Sequence, residues 1–381
     1  MKRCIVNLWT RRFCLALACL LSLTGVASGQ GLPPIKTVFL IVMENTDWSL
    51  IKNSPNAPFI NNVLLNIGSY CGQYYDSAVI HPSAPNYIWL ESGTNFGIFI
   101  NADPAVSHFN TTNHLTAQLH SADISWKSYQ EDIDGETVPL AATNHYVPRH
   151  NPFLYFEDVA GTNYPTYPYG VSHIRPYAEL ASDLASNTVA AYNFITPNLC
   201  NDMHDPCYPY YNQIRQGDLW LSSEIPRIMA SSAYTNNGAI FVTWDESSLP
   251  GYSNIGMMVI SPLAKGGGYY NDIAYSHSST LRTFQEIFGV RPFLGDAANA
   301  NDLSDLFTGY SIWGYHFTPD GKAQFNLGGT IPGGTNIIQS SPDLKTWTKV
   351  GQVVSSGRTC TFTQPLRSVT LPIYYRALQV P

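Results

Sequence analysis

The sequence predicts an α/β/α sandwich built on a mostly parallel sheet, followed by a small all-β domain. Three observations carry this. Short β-branched or aromatic runs recur as candidate buried strands. Segments with helical spacing of apolar residues lie between them, and such alternation requires a parallel sheet covered on both faces. From about Tyr315 the texture changes to alternating apolar and polar residues punctuated by Gly, Pro and Asp, with no helix-length window.

In chain order, Lys2, Arg3, Arg11 and Arg12 precede the apolar stretch 13–26, which ends at Ala27-Ser28-Gly29. That order is a secretory signal over residues 1–29, and the stretch is short for a membrane span. Thr10-Arg11-Arg12-Phe13-Cys14-Leu15 loosely resembles a twin-arginine export signal. The predicted strands are 37–43, 124–129, 190–195, 239–243 and 257–260, and the predicted helices 60–67, 114–120, 177–186, 219–231 and 279–288. The alternation fades near Gly309, giving a catalytic-sized domain over 30–309. The all-β domain covers 315–381, with strands expected at 323–327, 336–340, 347–353, 359–363 and 374–378.

Composition narrows the function. The 381 residues are 44% hydrophobic and 12% charged, against about 25% charged in an average soluble domain, which excludes a disordered chain. A net charge of −7 with no basic run after residue 12 argues against a nucleic-acid partner. Cleavage near Gly29 removes four of the 20 basic residues and none of the 27 acidic ones, so the mature chain stands at −11. No other window is long and apolar enough to span a bilayer. The mature chain is therefore expected to be exported, to the periplasm or the exterior. It would keep Cys71, Cys200, Cys207 and Cys360, of which Cys200 and Cys207 are expected to pair.

Three predicted strands run into acidic or metal-ligating residues. Strand 37–43 leads to Glu44-Asn45, strand 239–243 to Asp245-Glu246, and strand 190–195 to the segment holding Asp202 and His204. The carboxyl ends of parallel strands share one edge, where ligands bind. Carboxylates gathered there repel one another unless a cation neutralises them, so a metal site is the economical reading. Ser83, in a short turn before the apolar helix 87–90, reads equally as a helix cap or a nucleophile. His277, directly before the helix at Ser279, reads by itself as a structural hydrogen-bond partner.

Seven segments give these residues a context. They are Ile41-Val42-Met43-Glu44-Asn45, His81-Pro82-Ser83-Ala84-Pro85-Asn86-Tyr87, His150-Asn151-Pro152-Phe153, the stretch 195–205, Gly217-Asp218-Leu219-Trp220-Leu221, Thr243-Trp244-Asp245-Glu246 and Tyr275-Ser276-His277-Ser278-Ser279. In this order they resemble the phosphoesterase family of secreted acid phosphatases and bacterial phospholipases C, within the alkaline-phosphatase-like superfamily. The resemblance covers residues 38–290. It implies that Ser83 is the nucleophile and Glu44 the first-strand carboxylate ligand, with Asn45 beside it as ligand or phosphate contact. Asp245-Glu246 falls where more distant relatives carry Asp-His, and Asp202, His204 and His277 match positions that complete a second metal or phosphate site. Glu at 246 makes that half richer in hard oxygen ligands. One or two divalent ions are implied: Mg²⁺, Mn²⁺ and Ca²⁺ suit the site, and zinc is put in doubt there.

The chemistry implied is attack of Ser83 on phosphorus, a phosphoseryl intermediate, and its hydrolysis by water. Asn45 or Asn86 would stabilise charge on the equatorial oxygens, and His81 or His204 would protonate the leaving oxygen. The tyrosine-rich stretches 155–177 and 208–211 offer an aromatic rim for the leaving group or simple loop packing. The C-terminal segment resembles small β-sandwich modules of secreted bacterial proteins, with a structural or cell-surface role expected. The reading is a metal-dependent phosphomonoesterase of acid-phosphatase type. Its alternatives are a phospholipase-C-like phosphodiesterase and, in another class, a catalytically inactive secreted binding protein.

Overall fold

The computed structural model describes residues 6–7, 32–76, 80–162, 165–248, 254–309, 311–330, 333–342, 346–357, 359–365 and 374–380. The expected signal segment lies outside them except for Val6–Asn7, which pairs antiparallel with the last strand. The chain divides into a unit of Ile35–Phe307 and a unit of Thr308–Pro381 with Met1–Pro34.

The larger unit holds an eight-stranded sheet. Its strands are β1 (Thr37–Met43), β2 (Ser69–Cys71), β3 (Trp126–Gln130), β4 (Ile174–Pro176), β5 (Tyr192–Thr196), β6 (Gly238–Trp244), β7 (Met257–Ile260) and β8 (Tyr269–Asn271), in the spatial order β8-β2-β7-β6-β1-β5-β3-β4. All pairings are parallel except those of β7, which runs antiparallel to β2 and β6. Val38 to Met43 are all fully buried. Successive strand residues face opposite sides, so both faces of the sheet are covered, as a run without polar alternation requires. Strands β2, β4 and β8 went unseen in the sequence because three residues leave no period to read.

Five helices matter for the site: α1 (Ser83–Ser92), α2 (Leu115–Ser121), α3 (Glu179–Ser186), α4 (Gln213–Met229) and α5 (His277–Phe288). Three depart from expectation. Helix α1 begins at Ser83 rather than Tyr87: Pro82 before it is extended, and the Ala84 N–H is capped from outside by Asn101 Oδ1 at 3.1 Å, so no local cap marks the start. Helix α5 begins at His277, with Ser279 Oγ accepting from the Ser276 N–H. Helix α4 starts six residues before expectation, capped by Asn212 Oδ1 on the Arg215 N–H at 2.9 Å.

The smaller unit is antiparallel throughout. Strands β9 (Ser311–Phe317), β10 (Lys322–Gly328) and β13 (Thr359–Pro365) form one sheet, and β11 (Thr335–Ser341), β12 (Thr348–Val354) and β14 (Tyr374–Val380) the other. Phe325, Leu327 and Phe362 from the first and Ile338, Tyr375 and Ala377 from the second make one buried cluster. This is a small β-sandwich core. Its first strand begins four residues before the change of texture at Tyr315.

Candidate active site

Strands β6, β1 and β5 are neighbours, so their carboxyl ends bring the three acidic segments together. The backbone locks them. Glu44 N–H donates to the Asp202 carbonyl at 2.7 Å and Asp245 N–H to the Met43 carbonyl at 2.9 Å. Asp245 Oδ1 accepts from the backbone N–H of Asn45 (3.1 Å) and Glu246 (2.7 Å). Asn45 takes a positive φ of 32°, which asparagine tolerates. Glu44, Asp202, Asp245 and Glu246 are all fully buried.

Ser83, the first residue of α1, is buried against this cluster. Its hydroxyl donates to Glu246 Oε1 at 3.1 Å and Glu44 Oε2 at 3.3 Å. Glu246 also accepts from Asn45 Nδ2 (3.1 Å) and Asn86 Nδ2 (3.4 Å), and His81 Nε2 stands 3.5 Å from its Oε2. His204 anchors its backbone N–H on Asp202 Oδ1 (2.8 Å) while its ring bonds Asp205 at 2.7 Å. His277 differs from the rest. Its Nε2 donates to the Asp245 carbonyl at 2.6 Å and its Nδ1 faces the Tyr74 hydroxyl at 3.2 Å, so it braces the Asp245 turn with both ring nitrogens engaged. In this arrangement it offers no free lone pair to a cation.

The sequence reading passed over His150 as a ligand. Its Nε2 lies 3.3 Å from Glu44 Oε1 and its Nδ1 3.9 Å from Asp202 Oδ2, with the ring stacked on Tyr87 at 5.0 Å. Ligand atoms of Glu44, His150 and Asp202 all lie within 4.8 Å of one another. The signal was the His150-Asn151-Pro152-Phe153 motif, which carries no acidic neighbour to mark it as part of a site. Asp76 was missed as well: it is 5% exposed, and burial plus the Asp245 carboxylate push it up to about 7.

The electrostatics suit a cation-binding group. Burial, then the neighbouring carboxylates, raises Glu44 well above the carboxylate range. Burial likewise raises Asp202 strongly, Asp245 to about 6 and, with Asp245 adding, Glu246 to about 9. His150 supplies no counter-charge, because burial and the nearby Arg149 hold it far below its ordinary value. Glu44 Oε1, Asp202 Oδ2, Asp245 Oδ2 and His150 Nε2 are buried without a hydrogen-bond partner. Buried polar atoms are rarely left so, and three of the four, on Glu44, His150 and Asp202, belong to residues whose ligand atoms lie close enough together to hold a metal ion.

Around the cluster, Cys200 and Cys207 form the expected disulfide. Cys71 and Cys360 are unpaired. Met203, between Asp202 and His204, holds a φ of +82°, strained for a long side chain. It is pinned by burial against α4 at Gly217, where a Cβ would come within 2.3 Å of Met203 Cγ. Of the tyrosines, Tyr155 is core and donates to the Ala102 carbonyl, whereas Tyr208, Tyr210 and Tyr211 are exposed beside the disulfide.

Comparison with known proteins gives this geometry a family. The model of the phosphoesterase family matches residues 47–291. The chain belongs to that family. The phosphatidylinositol-3-phosphatase of Mycobacterium tuberculosis is 30% identical over 280 residues, covering 74% of this chain and 85% of that one. An acid phosphatase of Aspergillus fumigatus is 26% identical over 349 residues, covering 85% of this chain and 72% of that one. Among solved structures, a protein of the alkaline phosphatase superfamily from Vibrio parahaemolyticus aligns with a TM-score of 0.48 at 11% identity, over 89% of this chain and 83% of that one. The protein is an enzyme, a hydrolase of phosphate esters. Among the described residues no helix is long and apolar enough to cross a membrane.

Proposed function

We propose that this chain is an exported, metal-dependent phosphomonoesterase of acid-phosphatase type with Ser83 as nucleophile. The observation that carries the reading is a buried serine hydroxyl donating to two carboxylates of a cluster that, among the described residues, has no lysine or arginine ion-paired with it. The names of the relatives, a phosphatidylinositol phosphatase and an acid phosphatase, both describe removal of a phosphate monoester. Glu44, His150 and Asp202 would hold one cation, and Asn45, Asp245 and Glu246 a second. When bound, such an ion supplies Lewis-acid stabilisation of the charge that builds on the phosphoryl oxygens.

The side chains divide the remaining work. As Ser83 Oγ bonds to phosphorus and the ester P–O bond breaks, the hydroxyl proton passes to Glu246 or Glu44, which already accept it as a hydrogen bond. Asn45 stands against Glu246 and can turn its amide to an equatorial oxygen. His81, beside Glu246 and one-quarter exposed, reaches both the site and solvent, and in its protonated form it donates to the departing alkoxide. Histidines gain that proton as pH falls through the mildly acidic range, which favours acid-side activity. Water then attacks the phosphoserine and gives its proton to the now neutral His81 as the Ser83 O–P bond breaks, and the carboxylate that took the Ser83 proton returns it to Ser83 Oγ.

The test is hydrolysis of p-nitrophenyl phosphate and p-nitrophenyl phosphorylcholine by the mature protein across roughly pH 5 to 8, as isolated, after chelation, and with metals added back. Preference for the monoester, loss on chelation, and a fall of at least about 1,000-fold in Ser83→Ala with cation binding retained are expected. Preference for the choline ester would replace the monoesterase with a phospholipase-C-like enzyme, and unchanged turnover in Ser83→Ala would sink the nucleophile.

A further inference from the structure

We propose that Glu131 is a positioning residue that sets the cation affinity of the Glu44, His150 and Asp202 group by clamping segment 198–205 to the end of β3; this rests on the cation reading above. Glu131 directly follows the last residue of β3. Its Oε2 accepts from the Asn198 N–H at 2.8 Å and Asn201 Nδ2 at 2.9 Å, and its Oε1 accepts from Trp220 Nε1 on α4 at 2.8 Å. All three partners act as donors. Only a group that accepts at both ends satisfies them, and that group is an ionised carboxylate.

The clamp reaches the ligands in two steps. The Asn198 carbonyl accepts from the N–H of Asn201 at 2.8 Å and of Asp202 at 2.9 Å. The Asp202 carbonyl in turn accepts the Glu44 N–H at 2.7 Å. Glu131 therefore fixes the turn whose next bonds hold two of the three ligands. The other ties act elsewhere. The Cys200–Cys207 disulfide joins two points of the same loop and leaves it free to move as a body. Gln216 Nε2 binds the Cys200 and Asp205 carbonyls from α4, and the Leu199 N–H reaches the His145 carbonyl, itself in a loop. Beside the Glu44–Asp202 backbone bond, the Glu131 clamp is the side-chain tie among these that fastens the segment to a second strand end, that of β3. Partners of this kind, one shell out from a ligand, typically govern metal affinity by about 10- to 100-fold.

Glu131→Gln is the decisive variant, because it keeps the shape but turns an NH₂ toward a donor whichever way the amide lies. Titration calorimetry with Mn²⁺ on the full-length mature protein should show binding about 10-fold or more weaker than wild type. Thermal stability should stay within a few degrees of wild type, the disulfide should remain intact by thiol count, and p-nitrophenyl phosphate turnover should recover at saturating Mn²⁺. Asp132→Asn, which alters the exposed bond to Asn198 Nδ2 and removes a charge beside Glu131 while leaving the three Glu131 bonds in place, should change affinity by about 2-fold at most. If Glu131→Gln does not fold, Asn201→Ala removes one Oε2 donor and should weaken Mn²⁺ by about 3- to 10-fold. Equal Mn²⁺ affinity in wild type and the clamp variant overturns this inference alone. Failure of wild type to bind any divalent cation overturns the cation reading and the inference together.

Discussion

Helix α1 carries a buried charge cluster at each end, and the two are built on opposite terms. At its start, Ser83 bonds two of four clustered carboxylates, and the ion-pair partners of Glu44, Asp202 and Glu246 among the described residues are histidines. At its end, Glu91 meets a cation of the protein's own: His114, fully buried, bonds Glu91 at 3.1 Å and Asp158 at 3.0 Å and stacks on Phe156 at 4.0 Å. Thr116 adds two further bonds to Glu91 Oε1, both 2.7 Å. Burial opposes the charge on His114, but the bonds to Asp158 and Glu91 outweigh it and lift the group to about 9. Burial meets no such compensation at His150, which is driven to the neutral state. The lesson is that burial alone does not mark a functional cluster. What marks it is charge left without an internal partner, which on the proposed function an external cation and a substrate phosphate would complete.

The sharpest way to break this comparison is to delete each histidine. His150→Ala should lower kcat/KM by about 1,000-fold while the melting temperature in the presence of chelator hardly moves, since no ion pair is lost. His114→Ala should do the reverse: it strands the Glu91 carboxylate and costs about 3–5 kcal/mol of stability, with a far smaller change in kcat for the protein that remains folded. Urea unfolding and steady-state kinetics on both variants separate the two; equal effects of both substitutions on either readout would erase the distinction.

A second test uses pH. Asp245 and Glu246 are raised in the folded state, to about 6 and about 9, so the folded chain without metal holds more protons than the unfolded chain above about pH 4. Their effect on stability therefore becomes more unfavourable as pH rises. His114, raised to about 9, contributes fully below its unfolded value of about 6.5 and loses its contribution as pH climbs through 9. Glu44 and Asp202 act in the same sense as Asp245 and Glu246, whereas His150 and His277, both held low by burial, pull the other way. With the carboxylates in the majority, chelated protein should melt lower with rising pH between about 4.5 and 6.5, where His114 is silent. Added Mn²⁺ should flatten that slope and leave the alkaline loss due to His114. A flat acid limb in the chelated protein would contradict the electrostatics of the cluster.

The smallest expected effect concerns Gly217. Alanine in an exposed helix interior gains about 1 kcal/mol over glycine. Here a Cβ would meet Met203 at 2.3 Å and the Met43 side chain at 2.9 Å, so Gly217→Ala should instead destabilise by about 1–3 kcal/mol. It should also raise the Mn²⁺ concentration needed for half-maximal activity, because Met203 sits between Asp202 and His204. The His114 network, remote from this contact in the chain, should keep its alkaline transition in the variant.

Much of this was legible beforehand, and the limits have physical causes. Strand β1 declared itself through seven consecutive apolar or β-branched residues, and β7 through four. Neither run says that β7 is antiparallel, because direction depends on its neighbours. Glu44, Asp245, Glu246 and Asp202 were found because each follows a strand. Ser83 reads by its neighbours alone as cap or nucleophile, and only the family resemblance points to the nucleophile, because its helix is capped by Asn101, a residue with no local signature. His277 was counted among the ligands from its place in a motif, whereas its ring nitrogens serve the Asp245 carbonyl and Tyr74. Glu131 and Asp76 carry no distinguishing signal, since Glu131-Asp132 after a strand and Asp76 after Tyr74-Tyr75 resemble any solvated turn.

The sequence by itself determined the class of fold, the break before the small β-domain, and the chain positions at which chemistry would gather. Those properties depend on periodicity and on residues adjacent along the chain. Only the tertiary structure decided which of the gathered groups share a proton, a cation or a carbonyl. Such pairings join atoms as far as 203 residues apart, as Tyr74 and His277 are. They turn on differences of a few tenths of an ångström, set by the order β6-β1-β5 and by how deeply each carboxylate is taken out of water.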